Sequence, residues 1–348
     1  MATTPFQTNN IRTLSELTAW QAHPAEAVLE PELPIIDPHH HLREGPSGRY
    51  HLPELAKDLG GGHNVLATVF VDSQSGYRSA GRPLLRPVGE TELVSRWVAE
   101  APDLGRCVPC AGIVGALDLM HGAEVREGML AHLEAGKGRF RGIRDPLVWD
   151  ASDINYGPRR PAADRMTDMR FRAGFAELAP LGLTFDAWLF HHQIPLLTDL
   201  ARSFPETVIV LDHIGAPLGV GPYATCRAEV FSSWHAALVE LSRCPNVVVK
   251  LGGLGMLYFG FDFHQRPVPP SSRELAVAWR PFIDACIDAF GPARCMFESN
   301  FPVDKQTCSY TTLWNAFKRM TADYSSADKS ALFFGAANRV YRLGLEGT

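Results

Sequence analysis

The segment Leu33–His41 reads LPIIDPHHH: a short apolar run, an aspartate, a proline and then three consecutive histidines. A brief apolar run bounded by prolines predicts a buried strand, and the C-terminal ends of such strands are where α/β barrels place their chemistry. In extended backbone alternate side chains share a face, so His39 and His41 point together while His40 points away. Two imidazoles one pleat apart can take adjacent positions on one cation.

Working outward, comparable runs recur along the chain: NVLATVFV at Asn64–Val71, RCVPCAGIV at Arg106–Val114, FRGIR at Phe140–Arg144, LTFDAWL at Leu183–Leu189, TVIVLD at Thr207–Asp212, NVVVKL at Asn246–Leu251 and RCMFE at Arg294–Glu298. They are mostly apolar rather than alternating, as strands covered on both faces are, and each gap is long enough for a crossover. Helical spacing fills Glu92–Ala101, Ala123–Ala135, Met166–Leu178, Leu196–Ser203, Ala228–Leu241 and Leu275–Phe290, and a last helical stretch runs from Ala327 to Leu343. Eight strands alternating with helices predict an α/β fold, a (β/α)8 TIM barrel. An open doubly wound sheet fits less well. No G-x-G-x-x-G follows an early strand, Gly60-Gly61-Gly62 precedes one, and GGLG at Gly252–Gly255 opens a proline-rich loop. With no composition break after it, residues 33–348 read as one barrel, preceded by a short N-terminal extension, residues 1–32, that carries a helical pattern at Leu14–His23.

Composition narrows the function classes. The 348 residues are 46% hydrophobic and 20% charged, with a net charge of −5, so there is no broad basic field for nucleic acid. No apolar run reaches the ~18 residues of a membrane helix, and the start lacks the order of a signal peptide, so the expectation is a cytoplasmic protein with a small-molecule substrate and no membrane partner. Seven scattered cysteines do not form a secreted disulfide framework; the single C-x-x-C, Cys107 to Cys110, lacks a second pair and is a weak zinc signal.

Further strand ends carry polar groups. The fifth run leads into Phe190-His191-His192-Gln193 and the sixth into Asp212-His213-Ile214-Gly215; in a barrel, histidines at the ends of strands one, five and six converge on one mouth. His191 is preferred over His192 because it follows the strand directly. Arg144 ends the fourth run, where its planar fork suits a carboxylate or lactone carbonyl, with a local salt bridge to Asp145 as the competing account. After the second run, Ser73, Gln74 and Tyr77 offer groups suited to oxygen-rich substrates, and Glu90 either joins them or caps a helix. Tyr258, Phe259, Phe261, Phe263 and His264 mark Gly255–Ser272 as a lid or a packed Ω-loop.

The phrases IIDPHHHL, GIRD, WLFHHQIPLLTDLA, VLDHIG, VKLGGLGM and FESNFPVD resemble the amidohydrolase superfamily, in its amidohydrolase 2 branch and nearest its sugar-lactone and pyrone-dicarboxylate lactonases. The resemblance runs from about Pro34 to Leu343. It implies a TIM barrel with the family's first-strand H-x-H on His39 and His41, its fifth-strand histidine on His191 and its sixth-strand histidine on His213. It also implies a divalent metal, commonly zinc, on the first three, and an eighth-strand aspartate that activates water; some lactonases of the group work without metal. Here the chain departs. Where relatives read G-S-D-W-P it has Glu298-Ser299-Asn300-Phe301-Pro302, and the amide of Asn300 is no base. Three groups could take the proton instead: Glu298 on the same strand face but about 7 Å deeper, His213 with its near-neutral imidazole, and Asp304 folding back over the mouth. Glu298 ranks first, then His213, then Asp304. Lys250, on the adjacent seventh strand, either serves the substrate or holds Glu298 in a buried ion pair.

The expected activity is a hydrolase that opens a lactone of an oxygenated or carboxylated small molecule, with a metal or cationic side chains stabilising the oxyanion. An aromatic-acid decarboxylase of the same superfamily, or a silent barrel that binds a sugar acid, is the alternative. Neither the substrate nor the oligomeric state, monomer or homo-oligomer, is written in the sequence.

Overall fold

The computed structural model describes residues 12–22, 26–45, 48–101, 105–152, 154 and 161–347. All eight apolar runs form strands: β1 Ile35–His40, β2 Val65–Val71, β3 Val108–Ala116, β4 Phe140–Arg144, β5 Thr184–Ala187, β6 Ile209–Leu211, β7 Val247–Leu251 and β8 Cys295–Phe297. They pair in parallel, each with the next in the chain. The ring is brought nearly closed where the chain leaving β8 meets β1: His41 N–H donates to the Phe301 carbonyl at 2.7 Å, and Asn300 N–H to that of His39 at 2.8 Å. That seam places the residues after β8 directly against the histidines of β1.

The barrel has two apolar layers. Inside, Ile36, Val69, Val71, Val114, Val210, Val248 and Met296 pack against Phe334, Val340 and Tyr341 of the C-terminal helical stretch, which plugs the lumen. Outside, the other strand faces pack on the helix ring, with Trp234, Trp279 and Trp314 fully buried there. At about 25 cal/mol per Å² such side chains dominate the apolar gain of folding. The helical stretches lie where the spacing placed them, with local differences. Met166–Leu178 divides into a single turn at Arg165–Thr167 and a helix at Met169–Phe175. The last stretch is continuous but passes through a π-turn at Ala331–Gly335. Helices at Leu52–Leu59 and Tyr310–Met320 have no counterpart in the sequence reading. The second contains two threonines and an asparagine, residues of low intrinsic helix preference, and relies on a Ser309 side-chain cap on Thr312 N–H. No described helix is long and apolar enough to cross a membrane.

The N-terminal extension is an arm laid across the barrel mouth's rim. Its helix, α1 Leu14–Gln21, is capped by Thr13; His23 lies outside the described residues. From α1, Trp20 Nε1 donates to the Arg266 and Pro267 carbonyls at 3.1 Å each, and Gln21 Nε2 to the Cys308 carbonyl at 2.8 Å. Further along, the Lys318 ammonium donates to the Leu29 and Glu30 carbonyls, both at 2.8 Å. The loop 255–272 under the arm is packed: Tyr258, Phe259 and Phe263 are buried, and Gly255 is tied to Thr307 through its carbonyl at 2.8 Å. The cysteines are free thiols, Cys107 and Cys110 among them.

Candidate active site

The end of β1 divides its histidines as the pleat requires. His40 turns into the wall, 2.9 Å from Thr68 Oγ1. His39 and His41 face each other, Nε2 to Nε2, at 3.2 Å. His41 Nδ1 sits 2.8 Å from the Val71 carbonyl, which can only accept, so His41 carries its proton there and its Nε2 is a bare lone pair. Burial holds both imidazoles well below the usual histidine range, so they are neutral at pH 7.

Beneath them lies a fully buried charge network. Lys250 Nζ on β7 is 2.7 Å from Asp186 Oδ2, 3.0 Å from Asp212 Oδ1 and 3.1 Å from His39 Nδ1. Tyr341 from the lumen plug donates to Asp186 at 2.7 Å. Glu298 spans two imidazoles: Oε1 is 2.6 Å from His213 Nδ1, and Oε2 is 2.8 Å from His39 Nδ1, at the distance but not the alignment of a hydrogen bond. Burial alone would raise the Glu298 carboxyl; His213 and His39 override it and hold it at about 2. The expected Glu298–Lys250 pair is therefore replaced. Lys250 neutralises Asp186 and Asp212, and Glu298 orients histidines. Buried within that network, Lys250 is placed under His39, away from the mouth. Asp186, mid-strand in LTFDAWL, is the residue the sequence reading passed over.

His213 is presented by a strained turn. His213 and Ile214 both have φ of 53°, and Ala216 has 37°. A β-branched residue in left-handed backbone is an outlier, and such strain persists only where surrounding structure enforces it. The enforcement is visible: Trp188 packs edge-on against the His213 ring at 4.8 Å, and Gly253, itself at φ 71°, lies so close that a Cβ there would come within 2.5 Å of the imidazole. Gly253→Ala is expected to lower stability by about 1–3 kcal/mol through overpacking and to displace His213, read by thermal unfolding alongside turnover.

Asn300, also left-handed at φ 53°, points its amide at Asp304, donating to Oδ1 at 2.8 Å, while Gly255 N–H donates to Oδ2 at 2.8 Å. Burial pushes the Asp304 carboxyl up to about 7 against those donors and His213. Asp304 is thus fully buried behind Asn300 rather than folded over the mouth. Arg144 does not pair with Asp145. It donates to the Asp72 carbonyl and lies 3.7 Å from Asp72 Oδ2, whereas Asp145 pairs with Arg165 at 2.7 Å. Arg144, His41, Ser73 and Gln74 line a narrow cavity of about 40 Å³, and Arg144 also lines a neighbouring one of about 430 Å³ with His121 and Arg165. Tyr77 donates to Asp72 at 2.8 Å. Glu90 caps no helix; it accepts from the Ser73 and Ser75 amides at 3.1 and 2.7 Å.

His191 is buried at the turn after β5, where its Nδ1 is 3.4 Å from Leu218 N and its ring meets Tyr223 edge-on at 5.4 Å. Among the described residues, those that bring three metal-ligand atoms within 4.8 Å of one another are His39, Asp212 and His213, and the Lys250 ammonium already sits against the first two. The structure thus gathers His39, His41, His213 and Glu298 at one place and sets His191 outside that contact group.

A family model for amidohydrolases matches residues 36–343, which contain all of β2–β8 and nearly all of β1. This chain belongs to the amidohydrolase family. The amidohydrolase is a hydrolase by that membership. It is 34% identical over 232 residues to the protein y4mH of Sinorhizobium fredii, covering 67% of this chain and 70% of that one. It is 32% identical over 206 residues to an L-fucono-1,5-lactonase of Burkholderia multivorans, covering 59% of this chain and 64% of the lactonase, just under two thirds of its length. Among solved structures, a zinc-bound amidohydrolase from Burkholderia multivorans superposes with a TM-score of 0.67 at 26% identity, covering 88% of this chain and 99% of that one. A Pseudomonas putida protein described as a 2-pyrone-4,6-dicarboxylic acid hydrolase shares the fold, with a TM-score of 0.61 at 19% identity over 90% of this chain and 99% of that one.

Proposed function

We propose that this amidohydrolase opens the ring of a lactone borne by an oxygenated or carboxylated small molecule. The observation that carries the reading is Glu298 Oε1 held 2.6 Å from His213 Nδ1, which leaves Nε2 of that ring for the reaction. Lactone opening needs a base for water, a proton for the departing alkoxide and a positive site for the oxyanion. His213, backed by a carboxylate, is the base: Nε2 takes a proton from water as it attacks the carbonyl carbon and returns it to the ring oxygen as the C–O bond breaks. Glu298, ranked first by sequence, becomes the group that orients His213 and supports the imidazolium formed when Nε2 takes the proton, as a buried carboxylate does behind a catalytic histidine. Arg144 holds an oxygen or carboxylate of the substrate, and Ser73, Gln74 and Tyr77 shape the wall beside it.

The residues also fit a divalent cation. Glu298 Oε2 is buried and receives no aligned hydrogen bond; it is the acceptor that His39 meets when its proton sits on Nδ1. His39 Nε2 and His41 Nε2 are then two lone pairs 3.2 Å apart, close to the spacing of two imidazoles sharing a tetrahedral ion at about 2.0–2.1 Å each. His39 and His41 would hold the ion, with His191 as the further ligand the family resemblance supplies. When bound, such a cation polarises the ester carbonyl as a Lewis acid. The bound zinc of the Burkholderia multivorans structure supports zinc as the first ion to try.

The test is ring opening of a panel of aldonolactones and pyrone carboxylates, followed by proton release with and without added zinc or manganese. Turnover of at least one lactone is expected; none opened under either condition ends the reading, and carbon dioxide release from an aromatic acid would replace it with decarboxylation. Elemental analysis of chelator-free protein is expected to show a divalent metal that falls below half-occupancy in His39→Ala and His41→Ala; unchanged content in both removes these two residues from the metal.

A further inference from the structure

Behind the mouth, two buried carboxyl groups meet. Asp72, at the end of β2, accepts from the Tyr77 hydroxyl at 2.8 Å and from Gln74 N–H at 3.2 Å, and faces the Arg144 guanidinium. Glu90, in the first turn of the helix Val88–Ala99, comes up beneath the same loop. One of its oxygens, Oε1, accepts three hydrogen bonds: Ser73 N–H at 3.1 Å, Ser73 hydroxyl at 3.0 Å and Ser75 N–H at 2.7 Å. Its other oxygen is buried with no donor, and the two carboxyl groups are within hydrogen-bonding reach of each other. Both residues are 2% exposed or less. Two carboxylates cannot share so dry a site; one proton between them turns the repulsion into a hydrogen bond.

We propose that Glu90 is a positioning residue that works as a neutral acid, donating the pair's one proton to Asp72 and thereby fixing the 72–77 loop and Arg144 beside His41. The Arg144 guanidinium faces Asp72, whereas among the described residues no cation is paired with the donorless oxygen of Glu90. The remaining charged and titratable neighbours are accounted for. His132, across from this helix, takes the Thr91 hydroxyl on Nδ1 at 2.8 Å and stands 3.1 Å from the Ala116 carbonyl, and burial lowers it to about 4. Arg78 is engaged by Glu92. Burial first and then the neighbouring Asp72 both raise the Glu90 carboxyl, the direction that favours the protonated acid.

The kinetic part of the test rests on the lactone-opening reading; the unfolding part uses no substrate and fails or succeeds independently. Glu90→Gln preserves an acceptor for Ser73 and Ser75 and an N–H donor for Asp72, so its kcat/KM should stay within about threefold of wild type. Glu90→Ala should lose about 10- to 100-fold, mostly in KM, because the loop shifts. The pH profile separates this from simple packing. A carboxyl whose folded pKa is raised weakens the fold as pH climbs through the ordinary carboxylate range, since the unfolded chain releases the proton first. The melting temperature of Glu90→Gln relative to wild type should therefore rise from pH 4.5 to pH 8. A flat difference over that range, or a Gln variant as impaired as the Ala variant while still folded, overturns the proposal.

Discussion

His213→Asn lowers kcat for lactone opening by roughly 10²- to 10⁴-fold, the range lost with a general base, while the protein remains folded. Asparagine is the informative replacement because it tolerates the left-handed backbone that His213 occupies at φ 53°. The loss is then of the imidazole and not of the turn. Glu298→Gln should fall by a similar factor. The carboxylate accepts from His213 Nδ1 at 2.6 Å, whereas an amide can turn an N–H toward that ring and misorient it. Steady-state rates and far-UV circular dichroism of both variants check this; a His213→Asn enzyme within fivefold of wild type would remove His213 as the base. Acid sensitivity has the same origin. Glu298 is held at about 2, below its ordinary 4.5, so its stabilising contribution is complete above pH 4.5 and drains away as pH falls toward 2. Unfolding midpoints across that window should drop more steeply in wild type than in Glu298→Gln.

Lys250→Met is the largest expected stability effect, about 3–5 kcal/mol, the range for removing one partner of a buried ion pair. Lys250 is fully buried, and its ammonium is the cation between Asp186 and Asp212. Without it the carboxylates face each other across the lumen, burial drives them to take up protons, and His39 loses the group beneath its Nδ1. Pairing the change with Asp212→Asn removes one of the stranded charges and should recover part of the loss. Urea denaturation of the single and double variants measures the coupling; additive losses would show that Lys250 does not act through Asp212.

The fold was legible because the eight strands lie in mostly apolar runs separated by gaps long enough for a crossover. The candidate site was legible only along the chain, not across it. The convergence of His39, His41 and His213 follows from strand ends meeting at one mouth. The partners of the charged residues do not. Inward side chains of a barrel form layers drawn from alternate strands, so Lys250 meets Asp186 from two strands away, and Glu298 reaches His213 and His39 instead of the lysine next door. One signal was available and unused: Arg144 and Asp145 are consecutive, and consecutive strand residues point to opposite faces, which argues against their pairing. A charged residue inside an apolar run, such as Asp186, was another, since burial obliges it to have a partner. The helix at Tyr310–Met320 was hidden because its stability comes from packing against the barrel and a serine cap more than from its own residues.

The bonds that Trp20 and Gln21 of the arm make to the loops after β7 and β8 end on main-chain carbonyl oxygens, those of Arg266, Pro267 and Cys308. A carbonyl is the same at every position, whatever side chain hangs beside it. Loop side chains near the mouth can therefore be exchanged one by one without cutting these tethers. For an engineer seeking a new substrate range, this rim is a frame in which residues can be randomised while the backbone stays tied down.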